Sequence, residues 1–182
     1  ANVVTVVLGN AIDTPCTARP VTIGDQGALS FSTAAATVDP GEVFAPANGC
    51  DVQNGWCTSS LQASVWFSFV APASGHVSVL APGWDNQLAI YSATNCADYS
   101  TFTLINANDD GGTAQGGALF SAFLSDVKCL TPGTTYYIQL DPYGTIGAST
   151  LVILDLGNNA PSLLFTPTNI TANNAVGTCG NT

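Results

Sequence analysis

The chain is predicted to be all-β, an antiparallel two-sheet β-sandwich of jelly-roll-like type. Three observations predict it. Apolar residues recur with a period of two in short runs, and helical periodicity is almost absent. The runs are bounded by Gly, Pro, Asn and Asp, which supply turn geometry. Their close spacing suits consecutive antiparallel strands rather than strand–helix–strand units.

The strands follow in order. "SVWFSFV" puts Val65, Phe67 and Phe69 on one face, with Trp66 and Ser68 on the other. Trp66, inside a strand, is expected to pack rather than bind. "HVSVL" sends Val77 and Val79 one way, and "LAIYS" does the same with Leu88 and Ile90. "TFTLI", "ALFSAFL", "TYYIQL" and "STLVILDL" complete the set; "ALFSAFLSDV" also admits a helical turn, ranked below strand. Turn chemistry separates the runs: Pro72 and Gly75 in "APASG", Pro132-Gly133 in "LTPGTTYY", and the stretch "DPYGTIG".

Residues 37–57 break the pattern. "TVDPGEVFAPANGCDVQNGWC" is rich in Pro, Gly and Asn and predicts a long ordered loop pinned by Cys50 and Cys57. Loops of that length are usually functional or act as a covering flap. The expected organisation is a flanking strand or linker over 1–11, a sandwich domain over 12–156, and a linker with a docked terminal strand segment over 157–182. The apolar opening "ANVVTVVLG" is short and lacks a basic flank, so the numbering is expected to start after processing or inside a longer polypeptide.

Composition narrows the function. Of 182 residues, 46% are apolar and 8% charged, and twelve acids face two bases, Arg19 and Lys128. A net charge of −10 argues against nucleic acid and anionic membranes, because the cationic surface that displaces phosphate counterions is missing. No apolar run reaches the roughly 18 residues of a membrane span, so direct insertion is not expected. The six cysteines Cys16, Cys50, Cys57, Cys96, Cys129 and Cys179 contain no CxxC, and one histidine does not complete a usual zinc set. They predict disulfides and an extracellular, secreted or cell-surface location. The sequence alone does not choose the pairing.

The stretch "WDNQLAIYSATNCADYSTFTLINANDDGG" carries the main candidate site. Asp85, Asn86, Asn108, Asp109 and Asp110 supply the oxygen chemistry that calcium takes, and a hairpin of the two intervening runs brings them to one end. Gly111 and Gly112 permit a sharp turn. The other reading is two solvated turns, since Asp, Asn and Gly are ordinary turn residues. Asp39 and Glu42 in "VDPGE" form a second candidate. Trp84 and Tyr143 sit in turns beside polar groups, where a ring stacks on a sugar face; packing is the commoner fate of such rings. Catalytic chemistry is thin. The only imidazole is His76, just past a turn, and no nucleophile motif, phosphate loop or HExxH is present. Glu42 is the sole glutamate, and "NIT" at Asn169 is a glycosylation sequon.

The ordered series "SVWFSFVAPASGHVSV", "DNQLAIYS", "NDDGG" and "LTPGTTYYIQLDPYG" resembles the bacterial pre-peptidase C-terminal type of β-sandwich, over about residues 12–156. Such domains recur in large secreted and cell-surface proteins of Bacteroidetes-like bacteria. "APSLLFTPTNITANNAVGTCG" is similar to the opening of a hyalin-type repeat; Thr166 stands where that motif often carries a cysteine. The resemblance implies an accessory module for adhesion, targeting or a surface fibre, and some relatives bind calcium or matrix polymers. The expected function is therefore a non-enzymatic extracellular module for adhesion or structural assembly. Its expected partners are other copies of itself, neighbouring domains, or a surface glycan or polymer. The apolar flanks "NVVTVVL" and "SLLFT" further suggest head-to-tail polymerisation by strand addition. The alternative is a carbohydrate- or polymer-binding module of a secreted enzyme.

Overall fold

The computed structural model describes residues 12–24, 29–112, 119–144 and 147–157. Both apolar flanks, most of the 157–182 segment, Asn169 and Cys179 lie outside these residues. The strands are β1 (Arg19–Pro20), β2 (Leu29–Ser32), β3 (Val65–Val70), β4 (Val77–Ala81), β5 (Asn86–Ser92), β6 (Thr103–Asp109), β7 (Ala122–Val127), β8 (Thr135–Pro142) and β9 (Ala148–Asp155). They form two sheets, ordered β1-β3-β8-β5-β6 and β2-β9-β4-β7. Every pairing is antiparallel except the two-residue contact of β1 with β3.

Alternation along the strands builds the core. Val65, Phe67 and Phe69 of β3 face Val77 and Val79 of β4, with Leu88, Ile90, Leu124, Ile138, Leu140, Leu151 and Ile153 in the same buried cluster. Phe31 of β2 closes one side, its ring edge-on to Phe67 at 5.1 Å. Burial of such side chains, at about 1.5–3 kcal/mol each, is the main stabilising contribution.

The opposite face of the first sheet is also buried. Trp66, Ala89, Tyr91 and Ala107 project outward and are covered by Ala45 and Trp56 from the long 33–64 segment, forming a second apolar cluster. That segment is a third layer, which we call the roof. It closes on itself through Trp56 N–H to Pro46 O (3.0 Å), Asn48 N–H to Trp56 O (2.9 Å) and a Cys50–Cys57 disulfide. Gly55 is required there, because a Cβ would lie 2.7 Å from Pro46 O. Trp56 donates its indole N–H to Leu88 O of β5 at 3.0 Å.

Glu42 is the main polar attachment of the roof. Its buried carboxylate accepts from the Ser64 hydroxyl, from Trp66 Nε1 (2.9 Å) and from Gln139 Nε2 (3.0 Å), while its second oxygen accepts from Asp39 N–H (2.9 Å). Asp39, the other acid of "VDPGE", accepts from the Tyr99 hydroxyl at 3.0 Å. A second disulfide, Cys16–Cys96, spans 80 residues and ties the turn at Pro15–Thr17 to the β5–β6 connection. Closing a loop of that length restricts the unfolded chain and stabilises by about 2–4 kcal/mol. Cys129 is also disulfide-bonded.

Strand β1, with its parallel pairing, was not expected, and three further elements differ from the sequence expectation. "TFTLI" starts late, because Tyr99–Thr101 forms a 3-10 turn capped by Asp98, which accepts from Ser100 N–H at 3.0 Å; β6 then continues to Asp109. In "ALFSAFL" the strand begins only at Ala122, and Leu119 and Phe120 lie exposed in the preceding turn. Strand β2, "LSFS", alternates too briefly to announce itself and is held by its pairing with β9.

Glu42→Ala leaves three buried donors without their acceptor. Expected is a loss of about 3 kcal/mol or more in denaturant unfolding, with a smaller loss for Glu42→Gln, which keeps one acceptor oxygen. Equal, near-zero effects of both variants contradict this role for Glu42.

Candidate functional site

The β5–β6 hairpin register sets the site. Gln87 stands opposite Asp109, and Leu88 opposite Asn108. On its other side Gln87 stands opposite Asp141 of β8. Asp141, Gln87 and Asp109 therefore form a row across three strands, on the sheet face that carries Ala89 and Ala107. Directly opposed residues on one face have Cβ atoms about 5 Å apart.

The roof meets both ends of this row with backbone donors. Asp109 Oδ2 accepts from Cys57 N–H at 2.9 Å. Asp141 Oδ1 accepts from Gln62 and Ala63 N–H, both at 2.9 Å. The middle is different. Gln87 is fully buried, and neither its Oε1 nor its Nε2 has a hydrogen-bond partner among the described residues; the same holds for Asp141 Oδ2.

At the Asp109 end lies a pocket of about 230 Å³. Asp85, Asp109 and Asp110 place one carboxylate oxygen each within 4.8 Å of one another there. The Cys50–Cys57 disulfide lines it as well, and Phe120 (46% exposed) and Tyr143 (47% exposed) stand at its edge. Asp110 Oδ2 lies 3.3 Å from Cys57 Sγ; a disulfide sulfur has no proton, so a hydrogen bond forms there only when Asp110 is protonated. Gly111 is needed for the turn beside it, since a Cβ would lie 2.6 Å from Asn108 Oδ1.

Electrostatics follow from crowding. Burial raises the Asp109 pKa, and the Asp110 and Asp85 charges raise it further; its bond from Cys57 N–H opposes this. Asp85 is raised by partial burial and then by Asp110, and Asp110 is raised mainly by burial. Asp141 is pushed up to about 7 by burial, against its two backbone donors and with a further push from Glu42. Neither base relieves this charge. Arg19 donates to Ser30 O at 2.9 Å, and Lys128 pairs with Asp126 at 2.6 Å.

Of the five candidate metal ligands, the structure brings three acids together. The two asparagines serve the backbone. Asn86 donates to Ala81 O (2.9 Å) and Trp84 O and accepts from Ala122 N–H (3.2 Å). Asn108 accepts from Gly111 N–H (3.1 Å) and Phe123 N–H (2.9 Å) and donates to Val52 O (3.1 Å). Of the two candidate stacking rings, Tyr143 is at the pocket. Trp84 is half-buried, gives its indole N–H to Ala148 O at 2.9 Å and sits edge-on to Phe31 at 6.3 Å. His76 lies outside the pocket, with Nε2 2.5 Å from Asp126 and Nδ1 3.3 Å from Gly157 O.

Gln87 and Asp141 were missed at the sequence level. Both occupy the polar positions of alternating strands, which signal a solvated face; only the roof makes them buried. Compared with known proteins, the chain matches no family model, no curated protein and no solved structure.

Asp141 gives a pH dependence. Its folded pKa of about 7 lies above the ordinary 3.8 of an unfolded aspartate. Between those values the native state holds more protons, so stability falls as pH rises through the window. In chelator-containing buffer, Asp141→Asn is expected to be more stable than wild type by about 1–3 kcal/mol at pH 8. The advantage shrinks toward pH 4, where both side chains are neutral. An Asp141→Asn difference that is constant over this range contradicts the assignment.

Proposed function

We infer that the chain is a non-enzymatic extracellular module for adhesion or structural assembly, joining to further copies of itself by strand addition. The observation that carries this is one flank that the described residues cover incompletely. Among the described residues, the outer edge of β3 is covered by Ile12 O, which accepts from Trp66 N–H at 2.7 Å, by β1 at Phe67 and Ser68, and by Val21 N–H to Ser68 O at 2.8 Å. Beyond it, Val70 is 56% exposed, and Val21, Ile23, Phe69, Val70 and Pro72 border a groove of about 550 Å³. The opposite flank is tied shut: Phe123 N–H of β7 reaches Asn108 of β6, and Gly112 N–H reaches Ser121 O. An apolar, β-branched sequence such as "NVVTVVL" from another copy has the chemistry to lie in such a groove.

Other features support the setting. The Cys16–Cys96 and Cys50–Cys57 disulfides suit an oxidising environment, and among the described residues no helix is long and apolar enough to cross a membrane. Secretion to the cell surface and the likeness to pre-peptidase C-terminal domains belong to the same reading. A second reading is favoured by Tyr143 and Phe120 beside the acidic pocket: a carbohydrate- or polymer-binding module of a secreted enzyme, stacking a sugar there.

Light scattering and negative-stain microscopy of the full chain separate the two. Assembly through the flank is expected to give linear oligomers, reduced by Val70→Lys and by removal of residues 1–9. Monodisperse monomers in all three samples overturn it. The glycan reading expects retention on a polysaccharide column that drops by about two- to tenfold in Tyr143→Ala, the scale of one lost ring contact.

A further inference from the structure

We propose that Asp85, Asp109 and Asp110, with Gln87 Oε1 behind them, bind a divalent cation of the calcium class. This goes beyond the assembly reading and does not depend on it. An acidic cluster alone is common on a protein surface. Here a second observation points to a ligand. Gln87 is fully buried with both ends of its amide unpartnered among the described residues, and it extends from the sheet face and register position directly opposite Asp109. A native structure rarely leaves such a group unmatched, and each orphaned amide is unfavourable by about 1–3 kcal/mol. A cation among the acids gives Oε1 a partner.

The donor set fits a hard ion. Three carboxylates, each placing an oxygen within 4.8 Å of the others, present only oxygen to the centre, and the amide adds one more. The neighbouring sulfurs, Cys50 and Cys57, are joined in a disulfide and offer no thiolate. That disfavours zinc. The roof holds Asp109 in place through Cys57 N–H, and its carboxyl also shares a side-chain hydrogen bond with Asp110, a contact that a cation between the two would replace. The pocket between Phe120 and Tyr143 leaves room for water in the remaining positions, consistent with the six to eight oxygens calcium takes. Neither base of the chain neutralises these carboxylates, since both are engaged elsewhere.

The experiment is calcium chloride titrated into the chelator-stripped full chain, followed by calorimetry and by thermal unfolding. A ligand that binds only the native state must raise the midpoint. Expected are a midpoint that rises with calcium, a weaker response to magnesium, and at least about tenfold loss of affinity in Asp110→Asn, with Asp126→Asn as the unaffected control. Gln87→Glu adds a carboxylate to the set. It is expected to be less stable than wild type in chelator and to gain more from calcium. No heat and no midpoint shift at millimolar calcium overturn the proposal. So does a shift of equal size in Asp110→Asn and Asp126→Asn, which places the ion elsewhere. A variant that fails to fold in chelator is read from calcium-dependent recovery of its far-UV spectrum, and no recovery in Gln87→Glu counts against the site.

Discussion

A chain with twelve acids and two bases has too few cationic side chains to pair with its buried carboxylates. Its two cations are engaged at Ser30 O and at Asp126, away from the buried acids. Glu42 must therefore be held by neutral donors, and the structure supplies four: a hydroxyl, an indole, a side-chain amide and a backbone N–H. Asp109 and Asp141 are held by backbone donors of the roof. Hydrogen bonds to a charged group are stronger than neutral ones, and losing the acceptor leaves buried donors exposed to the full penalty. The roof and the sheet beneath it are thus bound to each other by the acids they share.

This constraint explains the third layer. A two-sheet sandwich needs only one buried face per sheet. Here Trp66, Ala89 and Ala107 make the outer face of the first sheet apolar, and Trp56 closes over it. The covering segment has almost no regular secondary structure, so its own backbone groups need partners. They find them in the short Ala47–Trp56 bridge, in the Cys50–Cys57 closure and in the carboxylates below. Between Asp85, Asp109 and Asp110 the layer opens into the acidic pocket, and next in the row the buried Gln87 is left without a partner among the described residues. The acidic pocket and the structural charge deficit are the same feature seen from two sides.

Much of the fold was legible in the sequence because period-two alternation reports directly on which face is buried. Val65-Phe67-Phe69, Val77-Val79 and Leu88-Ile90 all face the predicted side. The hairpin that joins Asp85 to Asp109 and Asp110 was legible for the same reason. Other features depend on tertiary context. Asn86 and Asn108 have the right atoms for a metal, but backbone groups of Ala81, Trp84 and Ala122, and of Val52, Gly111 and Phe123, claim them first. Gln87 and Asp141 look like solvated positions until residues 56–63 cover them. Trp84 and Tyr143 are both turn aromatics in the sequence, and only packing against Phe31 distinguishes the partly buried ring from the exposed one. Local pattern encodes alternation; it does not encode what a segment distant in the chain lays on top.

The central claim is that the roof is an integral layer, held by acids and neutral donors, rather than a loop resting on a finished sandwich. Native-state hydrogen exchange tests this most directly. The amides of Asn48, Trp56, Cys57 and Ala63 are predicted to exchange within about tenfold of those of β8, such as Ile138, because they open only when the sheet beneath them opens. Exchange of these four amides at the rate of solvated turn amides, with β8 still protected, contradicts the account.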